Sequence, residues 1–291
     1  MSQDILTLPA PAADERIAYG ADPAQFGDLR LPAGRGPHPV VVAVHGGFWR
    51  ARYDLTHLGH LCAALTARGF ATWSLEYRRL GQPGGGWPGT FADVARGLDA
   101  LAALAASRPL DLGRCVVLGH SAGGQLALWL AARPRIPPDS PLHAPAPLVP
   151  RGVIALAAVA DLRRGSALRL SGGVVDELLG GPPEVFPERY AAASPLELLP
   201  LGVPQVLIHG TDDANVPYEL SAGYAAQARV LGDAVELVTL DAMAHFEPID
   251  PRSAAWPSVL GAVRALAAAG EHAARRENRR PRPPRGRSDT I

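Results

Sequence analysis

Apolar runs without polar alternation recur along this chain, each closed by glycine or a polar turn and followed by a helical pattern. Pro39-Val-Val-Val-Ala-Val44 runs into His45-Gly46-Gly47, and Cys115-Val-Val-Leu118 runs into Gly119-His-Ser-Ala-Gly123. Such runs read as strands buried on both faces, as in parallel sheets covered by helices. Comparable strands are expected at 70–77, 152–158, 204–209 and 234–240, with a short edge strand at 16–19. Helical patterns fall at about 55–68, 90–106, 124–133, 218–231 and 253–269. Strand and helix alternating throughout predict an α/β fold with a doubly wound, mostly parallel sheet.

Two stretches interrupt the rhythm. Residues 133–151 hold seven prolines, which exclude regular helix or central strand. Residues 161–200 are longer than a simple crossover requires. Insertions near the carboxyl ends of strands sit where such sheets bind ligands, so both stretches are expected to form a small cap. Residues 1–15 read as an irregular lead-in and 16–270 as one domain. The end, 271–291, carries seven arginines among prolines and no apolar periodicity, and is expected to be a disordered tail.

Composition narrows the chemistry. The 28 basic and 28 acidic residues cancel, so no nucleic-acid or membrane partner is expected. Every basic residue is arginine, which excludes a lysine Schiff base, a pyridoxal-phosphate anchor and a P-loop. Cys62 and Cys115 sit in apolar stretches and suggest neither a disulfide framework nor structural zinc. The N-terminus shows no signal-peptide pattern, and the longest apolar run, 153–160, falls far short of the ~20 residues a membrane span needs. A soluble cytoplasmic protein is expected, with its oligomeric state open.

Gly119-His120-Ser121-Ala122-Gly123 fits G-x-S-x-G, and its setting between a buried strand and a helix matters more than its letters. That setting places the serine in strained backbone at a strand tip. The following helix N-terminus aims unpaired N–H groups at developing negative charge. Serine needs a general base. Strand 205–210 is followed by Thr211-Asp212-Asp213, and strand 234–240 by a loop carrying His245. Ser121, an aspartate at 212 or 213, and His245 therefore all fall at carboxyl ends of strands, one edge of a parallel sheet. The N–H of Ala122, just after the nucleophile, is one oxyanion donor.

HGGFW at 45–49, GHSAGG at 119–124, HGTDDANVP at 209–217 and AHF at 244–246 resemble the esterase and arylformamidase branch of the α/β-hydrolase superfamily, over about residues 16–269. The DD-x-NVP stretch is also similar to prolyl-oligopeptidase-type catalytic domains. The resemblance implies Asp213 as the triad acid, with Asp212 supporting the turn. It implies that Gly46 and Gly47 join Ala122 in the oxyanion hole, and that His45 orients that loop. The expected protein has an α/β-hydrolase fold and is a serine hydrolase that cleaves a small carboxylic ester through an acyl-enzyme, with no cofactor or metal. Alternatives are an arylformamidase or small amide or peptide hydrolase, and a non-catalytic ligand-binding protein of the same fold.

Phe48, Trp49 and Trp87 stand near the expected mouth and could line a substrate pocket or pack in the core. His57 and His60 share a helix face but lack further ligands at metal spacing. The glycine-rich stretch 81–87 follows no phosphate-cradle pattern. Glu76-Tyr77-Arg78 is expected to brace the active-site loops.

Overall fold

Residues 2–268 are described by a computed structural model of the chain. Their strands are β1 (Glu15–Ala18), β2 (Phe26–Arg30), β3 (His38–Val44), β4 (Ala71–Leu75), β5 (Leu110–His120), β6 (Val153–Leu156), β7 (Gln205–Gly210) and β8 (Val235–Leu240). They form one sheet in the order β1-β2-β4-β3-β5-β6-β7-β8. β1–β2 and β2–β4 pair antiparallel, and every pairing from β4 through β8 is parallel. The helices are α1 (Gly59–Thr66), α2 (Gly89–Asp99), α3 (Leu101–Leu104), α4 (Ala122–Ala132), α5 (Leu162–Ala167), α6 (Val174–Leu179), α7 (Pro187–Ala193), α8 (Glu219–Val230) and α9 (Trp256–Ala268).

The unbroken apolar runs feed two cores because successive side chains of a strand point to opposite faces. Val40, Val42 and Val44 of β3 pack with Phe91 and Val94 of α2 and with α4. Val41 and Ala43 pack on the other face with Leu61 and Cys62 of α1 and Val259 and Val263 of α9. Each fully buried aliphatic side chain contributes about 1.5–3 kcal/mol. Every residue of α4 is buried, so it carries no polar face. Its outer side is closed by the 161–200 insertion: Gln125 Nε2 and Trp129 Nε1 donate to the carbonyls of Ala193 and Ala192, each at 2.9 Å.

Register lines up the strand tips. Val44 pairs with Gly119, His120 with Leu156, Leu156 with Ile208, and Gly210 with Leu240. The loops after β3, β5, β7 and β8 consequently leave from one edge.

Several elements depart from the sequence expectation. β2 has no apolar run; its Asp28 and Arg30 are buried, and Arg16 of β1 holds Asp28 through Nε at 2.7 Å. A strand whose polar members find partners only after folding leaves no periodic trace. The helix expected at 90–106 breaks after Asp99, whose carboxylate takes both Arg133 amino groups, at 2.8 and 2.6 Å. The lead-in contains a 3-10 helix at Ser2–Leu6 with Ile5 buried.

The proline-rich 133–151 segment belongs to no cap. Because α4 starts at the carboxyl tip of β5, its far end lies at the opposite sheet edge, and the segment returns the chain to β6 there. The Arg151 N–H donates to the Cys115 carbonyl at 2.7 Å and the Leu148 N–H to Asp99 at 3.1 Å. The tail expected at 271–291 lies outside the described residues. Among the described residues no helix is long and apolar enough to cross a membrane.

Candidate active site

β5 ends at His120 and α4 begins at Ala122, so a single residue makes the turn. Ser121 does so at φ 57° and ψ −119°, a conformation that costs a non-glycine residue about 1–3 kcal/mol. Its N–H donates to the Leu156 carbonyl at 2.8 Å, and its own carbonyl accepts from Gly124 and Gln125 at 2.9 and 3.1 Å. These bonds hold the turn against its strain. The turn also needs close backbone approach: a Cβ on Gly123 would lie 2.1 Å from the Val44 carbonyl oxygen. As the first residue of α4, Ala122 has an N–H without an intrahelical acceptor.

His245, on the loop after β8, is 3% exposed. Its Nδ1 donates to Asp213 Oδ2 at 2.6 Å, which leaves Nε2 with the lone pair. Asp213 follows β7, and its Oδ1 accepts from the N–H groups of Asn215 and Val216 at 2.8 and 2.9 Å. His209, on β7 itself, offers Nε2–H to the same Oδ2 at 3.1 Å and to the Val216 carbonyl at 3.0 Å. Its Nδ1 accepts from the Ser221 hydroxyl at 2.7 Å, so its tautomer is set from both sides. Burial alone would raise the Asp213 carboxyl, but the hydrogen bonds from His209 and His245 outweigh it and hold the group well below its ordinary range. Asp212 is exposed and touches the Thr211 hydroxyl at 3.3 Å.

The loop after β3 is braced from beneath. His45 Nε2 lies 3.0 Å from Glu76 Oε1, and its ring stacks on Tyr77 at 4.4 Å. Tyr77 donates its hydroxyl to the His45 carbonyl at 2.7 Å, and Glu76 also accepts the Leu55 N–H at 3.2 Å. Gly46 then rests against the His120 carbonyl and Ser121 Cβ. Gly47, Phe48 and Trp49 follow with φ of 106°, 51° and 54°, a succession of left-handed residues that turns the chain sharply.

That turn separates the aromatic residues named from the sequence. Phe48 lines the cavity in front of Ser121. Trp49 swings inward, is fully buried, and donates Nε1–H to Gln125 of α4 at 3.2 Å. Trp87 packs its ring on Phe91 at 5.6 Å, and its backbone N–H donates to the Leu178 carbonyl at 2.8 Å. Neither tryptophan, nor any part of the 81–87 stretch, reaches the cavity.

The cavity measures ≈ 60 Å³ and brings Ser121, His245, Gly47 and Phe48 together. That is room for a handful of water-sized groups. Its remaining lining, including Leu6, Tyr53, His57 and Phe246, was not singled out from the sequence as substrate-contacting. His120 and His209 were also missed as supports. Their one sequence signal is their place, immediately before the serine and at the end of the strand leading to Asp213. His120 Nε2 donates to the His245 carbonyl at 2.9 Å, while its buried Nδ1 has no partner among the described residues. Burial, with His245 and His57 nearby, keeps the His120 ring well below its ordinary value. His57 is pushed down to about 3, mainly by burial. Among the described residues no group of three or more His, Cys, Asp or Glu side chains could hold a metal ion.

A mostly parallel eight-stranded sheet with a strained elbow between β5 and α4 is the α/β-hydrolase fold. Within it, the chain belongs to the BD-FAE family, whose profile matches residues 28–227. The chain is 27% identical over 227 residues to the esterase LipC of Mycobacterium tuberculosis (strain ATCC 25618 / H37Rv), an alignment covering 74% of this chain and 55% of LipC. The match thus spans about half the length of that relative. Among solved structures, a truncated carbohydrate esterase from gut microbiota superposes with a TM-score of 0.74 at 17% identity, covering 89% of this chain and 98% of that one. Esterase 2 of the planctomycete Thermogutta terrifontis, bound to propionate, superposes at 0.71 with 24% identity, covering 89% and 95%.

Proposed function

We propose that this protein is a serine hydrolase that cleaves a small carboxylic ester through an acyl-enzyme intermediate. The observation carrying the reading is the 2.6 Å hydrogen bond from His245 Nδ1 to Asp213 Oδ2, with His245 and Ser121 on the wall of one small cavity. His245 Nε2 takes the proton of Ser121 Oγ as that oxygen attacks the ester carbonyl carbon. Asp213 remains ionised, keeps the imidazole in the required tautomer and stabilises the imidazolium. The N–H of Ala122 and amides of the Gly46–Gly47 turn receive the negative charge on the carbonyl oxygen; losing one such donor costs about 10²–10³ in rate.

Collapse of the tetrahedral intermediate breaks the bond to the alcohol oxygen, which leaves with the proton from His245. Water, deprotonated by the same nitrogen, then releases the acid and restores Ser121. The esterase named among the relatives, and the propionate held by a neighbour of the same fold, support an ester rather than an amide. Cys62 and Cys115 are free and buried, which fits work in a reducing cytoplasm.

The test is a burst of p-nitrophenol from p-nitrophenyl acetate, with N-formylkynurenine in the same panel. Ser121→Ala and His245→Ala should each lose turnover by several powers of ten. Unchanged activity in either variant defeats the mechanism. Faster cleavage of the formamide replaces the substrate class, and ligand binding with no turnover by the wild-type protein makes it a binding protein.

A further inference from the structure

Leu6, of the 3-10 helix early in the chain, lines the cavity that holds Ser121, whereas no residue of the 161–200 insertion does. The 3-10 helix at Ser2–Leu6 is closed by its own bonds: the Asp4 carbonyl accepts from the N–H groups of Thr7 and Leu8 at 3.0 and 3.1 Å. Ile5 anchors it, 1% exposed, in the core that holds Leu58 and Leu61. Asp4 shares a second cavity with Met243, Glu247 and Arg252, on the loop that carries His245. Immediately after these two residues, Leu6 lines the small cavity while remaining 36% exposed.

We propose that this N-terminal segment is the lid of the site and that Leu6 is its specificity-determining residue, a stop against which the substrate's hydrocarbon chain ends. The inference rests on the ester-hydrolase reading and adds to it the residue that sets chain length. A single side chain can do this because the cavity is only ≈ 60 Å³. One methylene more or less in an apolar pocket changes kcat/KM by about 10–200-fold. Removing the leucine side chain beyond Cβ opens the cavity at its solvent end, where a longer chain has somewhere to go.

The experiment compares wild-type protein with Leu6→Ala and Leu6→Trp on two series: p-nitrophenyl esters from acetate to hexanoate, and alkyl acetates from methyl to hexyl. In at least one series, the ratio of kcat/KM for the six-carbon chain to that for the shortest should rise about tenfold or more in Leu6→Ala. It should fall in Leu6→Trp. Ratios unmoved in both series by both variants overturn the proposal. Binding of hexanoate and of 1-hexanol to Ser121→Ala, with and without Leu6→Ala, is measured by calorimetry and needs no turnover. Tighter binding of either in the double variant supports the stop, and unchanged affinity for both overturns it. Absence of turnover by the wild-type protein on every ester sinks the ester reading alone, because the binding comparison still decides the role of Leu6.

Discussion

His120 Nε2 donates a hydrogen bond of 2.9 Å to the backbone carbonyl of His245, with the two rings 4.6 Å apart. The residue before the elbow serine thus holds the loop that carries the proposed base, and a shift on one side is transmitted to the other. His120→Phe keeps the bulk and removes the donor. With the imidazole displaced by about 1 Å, kcat should fall on the order of 10²-fold while KM changes little. His120→Gln, which restores an N–H near the Nε2 position, should recover part of the loss. Equal rates in all three proteins would show that the bond positions nothing.

The two adjacent aspartates after β7 should respond very differently. Asp213→Asn replaces an acceptor for His245 by a group that can present a donor, favouring the wrong tautomer; a loss of about 10⁴-fold in kcat is expected. Asp212→Asn touches an exposed carboxylate and should stay close to wild type. Steady-state kinetics on p-nitrophenyl acetate ranks them, and the reverse order would move the acid to 212.

Acid should unfold this protein earlier than its carboxylates alone require. His57, pushed down to about 3, and His120, also well below its ordinary value, are buried as neutral rings. Unfolding frees both to take up protons below about pH 6.5. The unfolded state then binds more protons, so stability drops as pH falls from 6.5 toward 3, by up to about 1.4 kcal/mol per pH unit for each ring. Asp213 adds its share only below about pH 4, since its folded value is depressed and its stabilisation is complete above the unfolded one. Urea midpoints at pH 7 and pH 5 test this: they should differ, and the gap should narrow in His57→Gln. Identical midpoints contradict it.

Strain at the elbow should be measurable as stability. Ser121 holds φ 57° and ψ −119°, which glycine adopts without a Cβ clash. Ser121→Gly should be more stable than Ser121→Ala by about 1 kcal/mol, net of the greater freedom glycine gives the unfolded chain. Both should lack turnover. Equal melting temperatures would mean the turn stores no strain.

How far the site could be read in advance depends on how local its cause is. A nucleophile elbow is local: strand run, glycine pair and helix follow one another in a dozen residues, so Ser121 and Ala122 stand out. An aspartate at 212 or 213, and His245, are legible because each follows a strand of the same sheet and parallel register does the rest; the preference for Asp213 came from the family resemblance. The aromatic residues were not, since Phe48 and Trp49 are neighbours with opposite fates, divided by consecutive left-handed φ values that composition does not disclose. The proline-rich 133–151 stretch looked like a cap because its length is visible and its sheet edge is not.

Periodicity and motif order in the chain were enough for the layered architecture and for the edge at which chemistry can occur, because burial on both faces and strand-to-helix turns are properties of short segments. Which side chains complete the cavity was decided by packing at a distance. Leu6 lines one cavity with a serine more than a hundred residues away, and His120 bonds the carbonyl of His245, 125 positions further along the chain. Contacts of that kind arise from the closing of the whole core, and no local pattern of residues encodes them.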